Sequence, residues 1–145
     1  MSFSHSTSQG HLAGAILPLT LALRNDSDEK TRANAAGALG NLARNGGMLC
    51  RELVRHGAMA ALLTAGGPES APEAPRRIAI FSTGTLVAWP DIRAYLDRDR
   101  PVRARLENVI RDGLASDDVT IARYAARLRT KLRPQQLAGG DENNA

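Results

Sequence analysis

The predicted helices of this chain recur in a fixed order of lengths, and this repeat restricts the fold more than any other feature of the sequence. Apolar residues at helical spacing, with Gly, Pro, Asn, Asp or Ser between the segments, predict eight helices. They cover residues 12–24, 29–45, 48–55, 58–65, 76–89, 91–98, 101–115 and 118–132, in the order medium, long, short. Cycles of about 40–47 residues with two or three helices are typical of helical-repeat arrays.

Equivalent positions of the three long helices support the same register. Gly37, Gly84 and Ala126 correspond to one another, at spacings of 47 and 42 residues. A proline-rich loop predicted at residues 66–75 accounts for the longer first spacing. The leucines that keep one phase through these helices are predicted to lie in the core: Leu39, Leu86 and Leu128.

Composition favours an all-α protein built on closely packed aliphatic side chains. Apolar residues make up 43% of the chain and aromatic residues 3%, and Ala and Leu are strong helix formers. No uncharged apolar stretch approaches the roughly 18 residues of a membrane span. Cys50 is the one cysteine, so it cannot form an internal disulfide. We therefore expect a cytoplasmic location and a buried Cys50 thiol.

Polar composition at both ends predicts a three-part organisation. Residues 1–11 are rich in Ser and are expected to form a disordered arm. Residues 12–133 hold the predicted helices and form the repeat domain, and residues 134–145 are expected to be a flexible tail. The formal charge of +4 is a mild excess, well below that of a nucleic-acid-binding tail.

Three segments resemble armadillo repeats. GAILPLTLALR followed by NAAGALGNLARN resembles the second and third helices of one repeat, and MLCRELVRHGAMAALL resembles the first two helices of the next. The resemblance implies a short right-handed α-solenoid of about two and two-thirds armadillo repeats.

Three segments also resemble a narrower group, the C-terminal armadillo region of Fused-type serine/threonine kinases. These segments are KTRANAAGALGNLARN, LCRELVRHGAMAALL and RRIAIFSTGTL. That family joins a kinase domain to armadillo repeats and is associated with cilia, flagella and microtubules. The sequence has no HRD or DFG triplet and no Gly-rich phosphate loop after a strand. The resemblance therefore implies a scaffold or regulatory segment, cytoplasmic and associated with the flagellum or cytoskeleton, and carries over no kinase activity.

The predicted function is protein–protein interaction through the concave face of the long helices, with an extended segment or an acidic surface as the partner. The candidate partner-binding residues are Lys30, Gly37, Asn41, Arg44, Arg77, Gly84 and Arg133. Helix-interior glycines cost about 1 kcal/mol against Ala, so Gly37 and Gly84 either allow close helix packing or leave room for a partner's backbone. No nucleophile–base pair, carboxylate dyad or metal cluster is evident, so we expect no catalysis, cofactor or metal.

Resemblance to nuclear-import-type armadillo proteins bears on Asn41. In those proteins a Trp and an Asn four residues later line the groove and hold an extended peptide. Asn41 matches that Asn, but Gly37 replaces the Trp, and Ala88 and Thr130 hold the later Asn positions. The Asn ladder is interrupted, which argues against a receptor for nuclear-localisation signals. Asn41 either binds a peptide backbone or ties neighbouring helices together.

Three further interpretations stay open. Basic residues on one face of the last helix, Arg123, Arg127 and Lys131, favour a solvated surface first, then an acidic partner, then nucleic acid. The chain could instead act as a detached regulator of a kinase. The apolar side of the first helix, with Leu12, Ile16, Leu17 and Leu21, lacks its usual cover. This end is therefore expected to stack on another protein, on a second copy or on a domain missing from this chain.

Overall fold

The computed structural model describes residues 12–68 and 73–132, and these residues form eight helices and no strand. The helices are α1 Ile16–Asn25, α2 Glu29–Ala43, α3 Gly47–Arg55, α4 Ala58–Ala65, α5 Glu73–Val87, α6 Pro90–Arg98, α7 Arg100–Leu114 and α8 Val119–Lys131. This confirms the predicted all-α class. None of these helices is both long and apolar enough to span a membrane. The predictions for residues 1–11 and 134–145 lie outside the described residues.

Aspartate caps set the starts of three of the helices. The Asp28 carboxylate accepts a hydrogen bond from the Thr31 amide at 2.9 Å, which satisfies one of the free N–H groups of the first turn of α2. Asp99 does the same for α7. Asp118 accepts from two amides at the start of α8. The polar residues between the apolar segments therefore determine where these helices begin.

Two helix boundaries were predicted wrongly, and proline explains both. Residues 12–13 are helical, but a turn at residues 14–15 separates them from α1, which begins at Ile16. Pro18 has no N–H to donate to the carbonyl four residues earlier, so a continuous helix from residue 12 would contain a broken turn. The helix predicted to begin at Arg76 begins at Glu73, because Pro75 is well tolerated in a first turn.

Helices that are three positions apart in the chain pack against each other. The long helices α2, α5 and α8 lie side by side in one layer, α1, α4 and α7 lie in a second layer, and α3 contacts α6. Within each cycle the layers are joined by α1 with α2, α4 with α5, and α7 with α8. The predicted core leucines Leu39, Leu86 and Leu128 are all buried between these helices.

The contact between α2 and α5 depends on small residues. The Ser82 hydroxyl donates a hydrogen bond to the Ala36 carbonyl at 2.8 Å. A Cβ atom added at Gly40 would lie 2.9 Å from the Ser82 Cβ, closer than real Cβ atoms approach, and 3.3 Å from its Cα, which is a tight contact. The Trp89 indole N–H donates to the Ala43 carbonyl at 2.7 Å and closes the far end of the contact.

Candidate binding surface

The exposed side of α2, α5 and α8, called here the long-helix face, carries most of the predicted partner-binding residues. Lys30 is exposed in the first turn of α2, Asn41 is exposed near its end, and Arg44 is exposed just after it. Fourteen residues separate Lys30 from Arg44, about 21 Å at the helical rise. These residues therefore form an elongated strip and no compact pocket. Arg133 lies outside the described residues.

Arg77 braces two of the long helices. Its Nε and Nη2 atoms donate to the Asp118 carboxylate at 2.9 and 2.8 Å, and Nη2 also lies 3.1 Å from the Glu73 carboxylate. The hydrogen bond to Asp118 raises the pKa of Arg77 and lowers the pKa of Asp118. Two carboxylates thus compensate the Arg77 charge, and the side chain ties α5 to the start of α8.

The two glycines predicted either to allow close helix packing or to leave room for a partner have different surroundings. Gly84 is buried, because the Lys131 ammonium group donates to its carbonyl at 3.3 Å and the lysine side chain covers it. Gly37 is half-buried, and a Cβ there would lie 3.5 Å from the Ile78 Cγ2 atom, an ordinary contact. Neither glycine is needed for close helix packing, whereas Gly40 is.

An aromatic pair of the exposed Phe81 and the partly buried Tyr124 lies on the long-helix face and was not predicted from the sequence. The rings of Phe81 and Tyr124 meet edge to face, with centroids 5.1 Å apart and an angle of 62°. Phe81 is 39% exposed. The guanidinium of Arg127 lies 5.8 Å from the Tyr124 centroid, within cation–π range. Phe81 follows Arg77 by four residues, and that helical spacing could have placed it on this face.

Positive charge on this surface is concentrated in α8. This helix contains four basic residues and no acidic residue: Arg123, Arg127, Arg129 and Lys131. Arg129 lines a pocket with residues of α7 and lies on another side of the helix. None of the four forms an ion pair within the part of the chain that the structure describes. The long-helix face therefore offers an aromatic contact beside uncompensated cations.

The possible metal ligands and the Cys50 thiol can be compared with the sequence prediction. No group of three His, Cys, Asp or Glu side chains in residues 12–68 and 73–132 could hold a metal ion. Cys50 is buried as predicted, and burial, with a smaller contribution from Asp91, raises its thiol pKa to about 11. A thiol with that pKa is a poor nucleophile at neutral pH.

Comparison with known proteins finds similarity to one part of a kinase. No family model matches the chain. The chain is 33% identical over 135 residues to the serine/threonine-protein kinase TIO of Arabidopsis thaliana. The similarity covers 83% of this chain and 10% of that relative, so the chain spans about a tenth of the relative's length.

Proposed function

We propose that this chain is a non-catalytic, armadillo-type helical scaffold that holds a partner protein on its long-helix face. The observation that carries the proposal is the row of three long helices whose shared surface presents the Phe81–Tyr124 pair beside the unpaired cations of α8. Interface residues that dominate binding energy are often aromatic or Arg. A surface already held by packed helices also loses little conformational entropy on binding.

The repeated helix packing supports the finer description of the fold. In this proposal α1 and α2 are the second and third helices of one armadillo repeat, and α3–α5 and α6–α8 are two complete repeats of a right-handed solenoid. Each long helix then occupies the third position of its repeat and contributes to the concave side. The stacking of α2 on α5 and of α5 on α8 supports this arrangement.

The partner segment in this proposal is extended and acidic. An extended segment that starts on the strip from Lys30 to Arg44 and crosses α5 to α8 spans two interhelical distances of about 8–10 Å each, or about five to six residues of extended chain. Its carboxylates would pair with Arg123 and Arg127, and an apolar side chain would contact Phe81. The predicted contacts of Asn41 and Gly37 lie on the same strip and remain part of the proposal.

Similarity to part of a serine/threonine-protein kinase supports a regulatory role for this scaffold. A kinase is then one class of partner to test, and association with flagellar or microtubule structures stays a prediction from the Fused-type resemblance. Reciprocal precipitation from the source cell tests the kinase-regulator version. Recovery of other proteins with no kinase would count against it.

Site-specific photo-crosslinking tests the long-helix face itself. A photoreactive residue is placed at Asn34 on α2 or at Thr85 on α5, with Ala104 on the exposed side of α7 as the matched control. The proposal expects one protein to be captured at both Asn34 and Thr85, and not at Ala104. Equal capture at all three positions would overturn the assignment of the face.

Nucleic-acid binding is the second candidate, because α8 carries four basic residues and no acidic one. Phosphate contacts release counterions, so such binding weakens steeply as salt rises. A titration with single-stranded RNA at increasing salt tests it. Affinity that does not fall between low and moderate salt would exclude the candidate, and tight salt-dependent binding lost in Arg127→Glu would favour it over a protein partner.

Exposed leucines at the first helix support an additional contact at that end. Leu12, Leu17 and Leu21 are 37%, 47% and 46% exposed. Ile16 was grouped with them wrongly, because it is fully buried in the core. We propose that the three exposed leucines stack on another protein or on a second copy. Light scattering tests the second-copy version, and a strict monomer unaffected by Leu17→Glu would exclude it.

A further inference from the structure

A second groove lies away from the long-helix face, between the short helices α3 and α6. It has a volume of about 440 Å³, within the range of pockets that hold ligand groups. We call it the short-helix groove. Its apolar side is formed mainly by Val54, Ile92 and Tyr95, and its rim by Arg51, Arg55 and Arg98.

The apolar side of the groove is held in place by the fold. Ile92 is buried in the core and Val54 is partly buried against it. The Tyr95 hydroxyl donates to the Asp99 carboxylate at 2.9 Å, which fixes the ring. A ligand would therefore meet a preformed surface and would not have to order it.

The rim of the groove is strongly cationic. Arg51 and Arg98 are exposed and form no ion pair or side-chain hydrogen bond that involves the described residues. Arg55 lies 3.7 Å from Glu52, with 75% of its side chain exposed. Asp91 is the one carboxylate among the lining residues. Three guanidinium groups thus face one carboxylate around an apolar surface.

We propose that the short-helix groove binds an acidic amphipathic helix of a partner protein. The apolar side chains of that helix would contact Val54, Ile92 and Tyr95, and its flanking carboxylates would pair with Arg51 and Arg98. Charge complementarity selects an acidic partner, and apolar residues at i, i+3, i+4 and i+7 are how a helix fills such a groove. A flat anionic membrane would meet the arginines but could not enter a concave surface.

This binding site is independent of the proposed function. The groove belongs to the contact between α3 and α6, whereas the long-helix face belongs to α2, α5 and α8. The scaffold could then hold two partner proteins at once, one on each surface.

Nuclear magnetic resonance titration of the full chain with a synthetic peptide tests the site. The probe carries leucines at i, i+3, i+4 and i+7 and glutamates elsewhere, and a scrambled peptide of the same composition serves as control. We expect shifts in the amide signals of α3 and α6, including Tyr95. The Arg51→Glu, Arg98→Glu double variant should weaken binding about tenfold or more, and Arg111→Glu at an exposed position of α7 should leave it unchanged.

Each outcome of this titration decides the proposal. Shifts in α3 and α6 that require the leucine spacing and disappear in the double variant support it. Equal binding of the scrambled peptide, shifts confined to α2, α5 and α8, or no shifts at all would overturn it. Shifts produced instead by anionic lipid vesicles, with none by the peptide, would overturn it in favour of a membrane. Failure here leaves the crosslinking result on the long-helix face unaffected.

Discussion

Replacing Gly40 by alanine tests one of the close helix contacts among the described residues. The new methyl group would lie 2.9 Å from the Ser82 Cβ and 3.3 Å from its Cα, so α2 and α5 would have to move apart. Overpacking of this kind costs about 1–3 kcal/mol, and the higher helix propensity of alanine offsets about 1 kcal/mol. We expect a net loss of up to about 2 kcal/mol in the free energy of unfolding.

Gly37→Ala is the matched control on the same helix. Its methyl group would lie 3.5 Å from Ile78, an ordinary contact, so the propensity gain should raise stability by about 0.5–1 kcal/mol. Urea unfolding followed by circular dichroism measures both variants. Fluorescence of Trp89, whose indole bonds to α2, reports on the same helix contact.

A second substitution at Ser82 shows whether the stability change in Gly40→Ala comes from packing against that side chain. Ser82→Gly removes the side chain that the Gly40→Ala methyl group would meet, so the double variant should recover part of the loss. Equal changes in stability, in the same direction, for Gly40→Ala and Gly37→Ala would refute close packing at Gly40. It would also be refuted if Ser82→Gly gave no recovery beyond additivity.

Three further predictions follow from burial and from the pKa shifts. Leu39→Ala should cost about 2–5 kcal/mol of stability in urea unfolding, and an unchanged midpoint would show that the helix phase is wrong. The pKa values of Asp28 and Asp118 lie below the ordinary 3.8, chiefly because Thr31 donates a hydrogen bond to Asp28 and Arg77 donates one to Asp118. The two ionised carboxylates therefore stabilise the fold above about pH 4, and this contribution is lost as the pH falls below it. The Asp28→Asn, Asp118→Asn variant should therefore lose less stability on acidification than the unchanged chain, and an equal loss would contradict this. Cys50, with a pKa of about 11, should resist alkylation at neutral pH until urea unfolds the chain, and fast labelling of the folded chain would contradict its burial.

Local sequence signals were sufficient to predict the helices and much of their packing. Apolar spacing and capping residues such as Asp28 are determined within one or two turns, so six of the eight helices begin within two residues of their predicted starts. The repeat then placed equivalent helices next to one another, and Leu39 in the core. Pro18 and Pro75 shifted the other two starts, because a proline is tolerated in a first turn but not deeper in a helix.

The details of the candidate site could not be predicted in the same way. Arg77 bonds to Asp118, 41 residues later, and Lys131 bonds to the Gly84 carbonyl, 47 residues earlier. These partners are chosen by the distance between packed helices and by the rotamers of long flexible side chains, and neither is encoded in local periodicity. Sequence patterns therefore predicted Arg77 as a candidate partner-binding residue and left Gly84 as either a packing position or an open one. In the structure Arg77 is a brace between helices, and Gly84 is covered by a lysine.

The affinity of the crosslinked partner for charge-reversed variants tests the central proposal most directly. Arg127→Glu changes the long-helix face, and Arg100→Glu makes the same change at the exposed start of α7. If the long-helix face binds the partner, Arg127→Glu should weaken binding about tenfold or more, and Arg100→Glu should leave the affinity unchanged. Equal affinities for both variants and the unchanged chain, with both variants folded, would contradict the account.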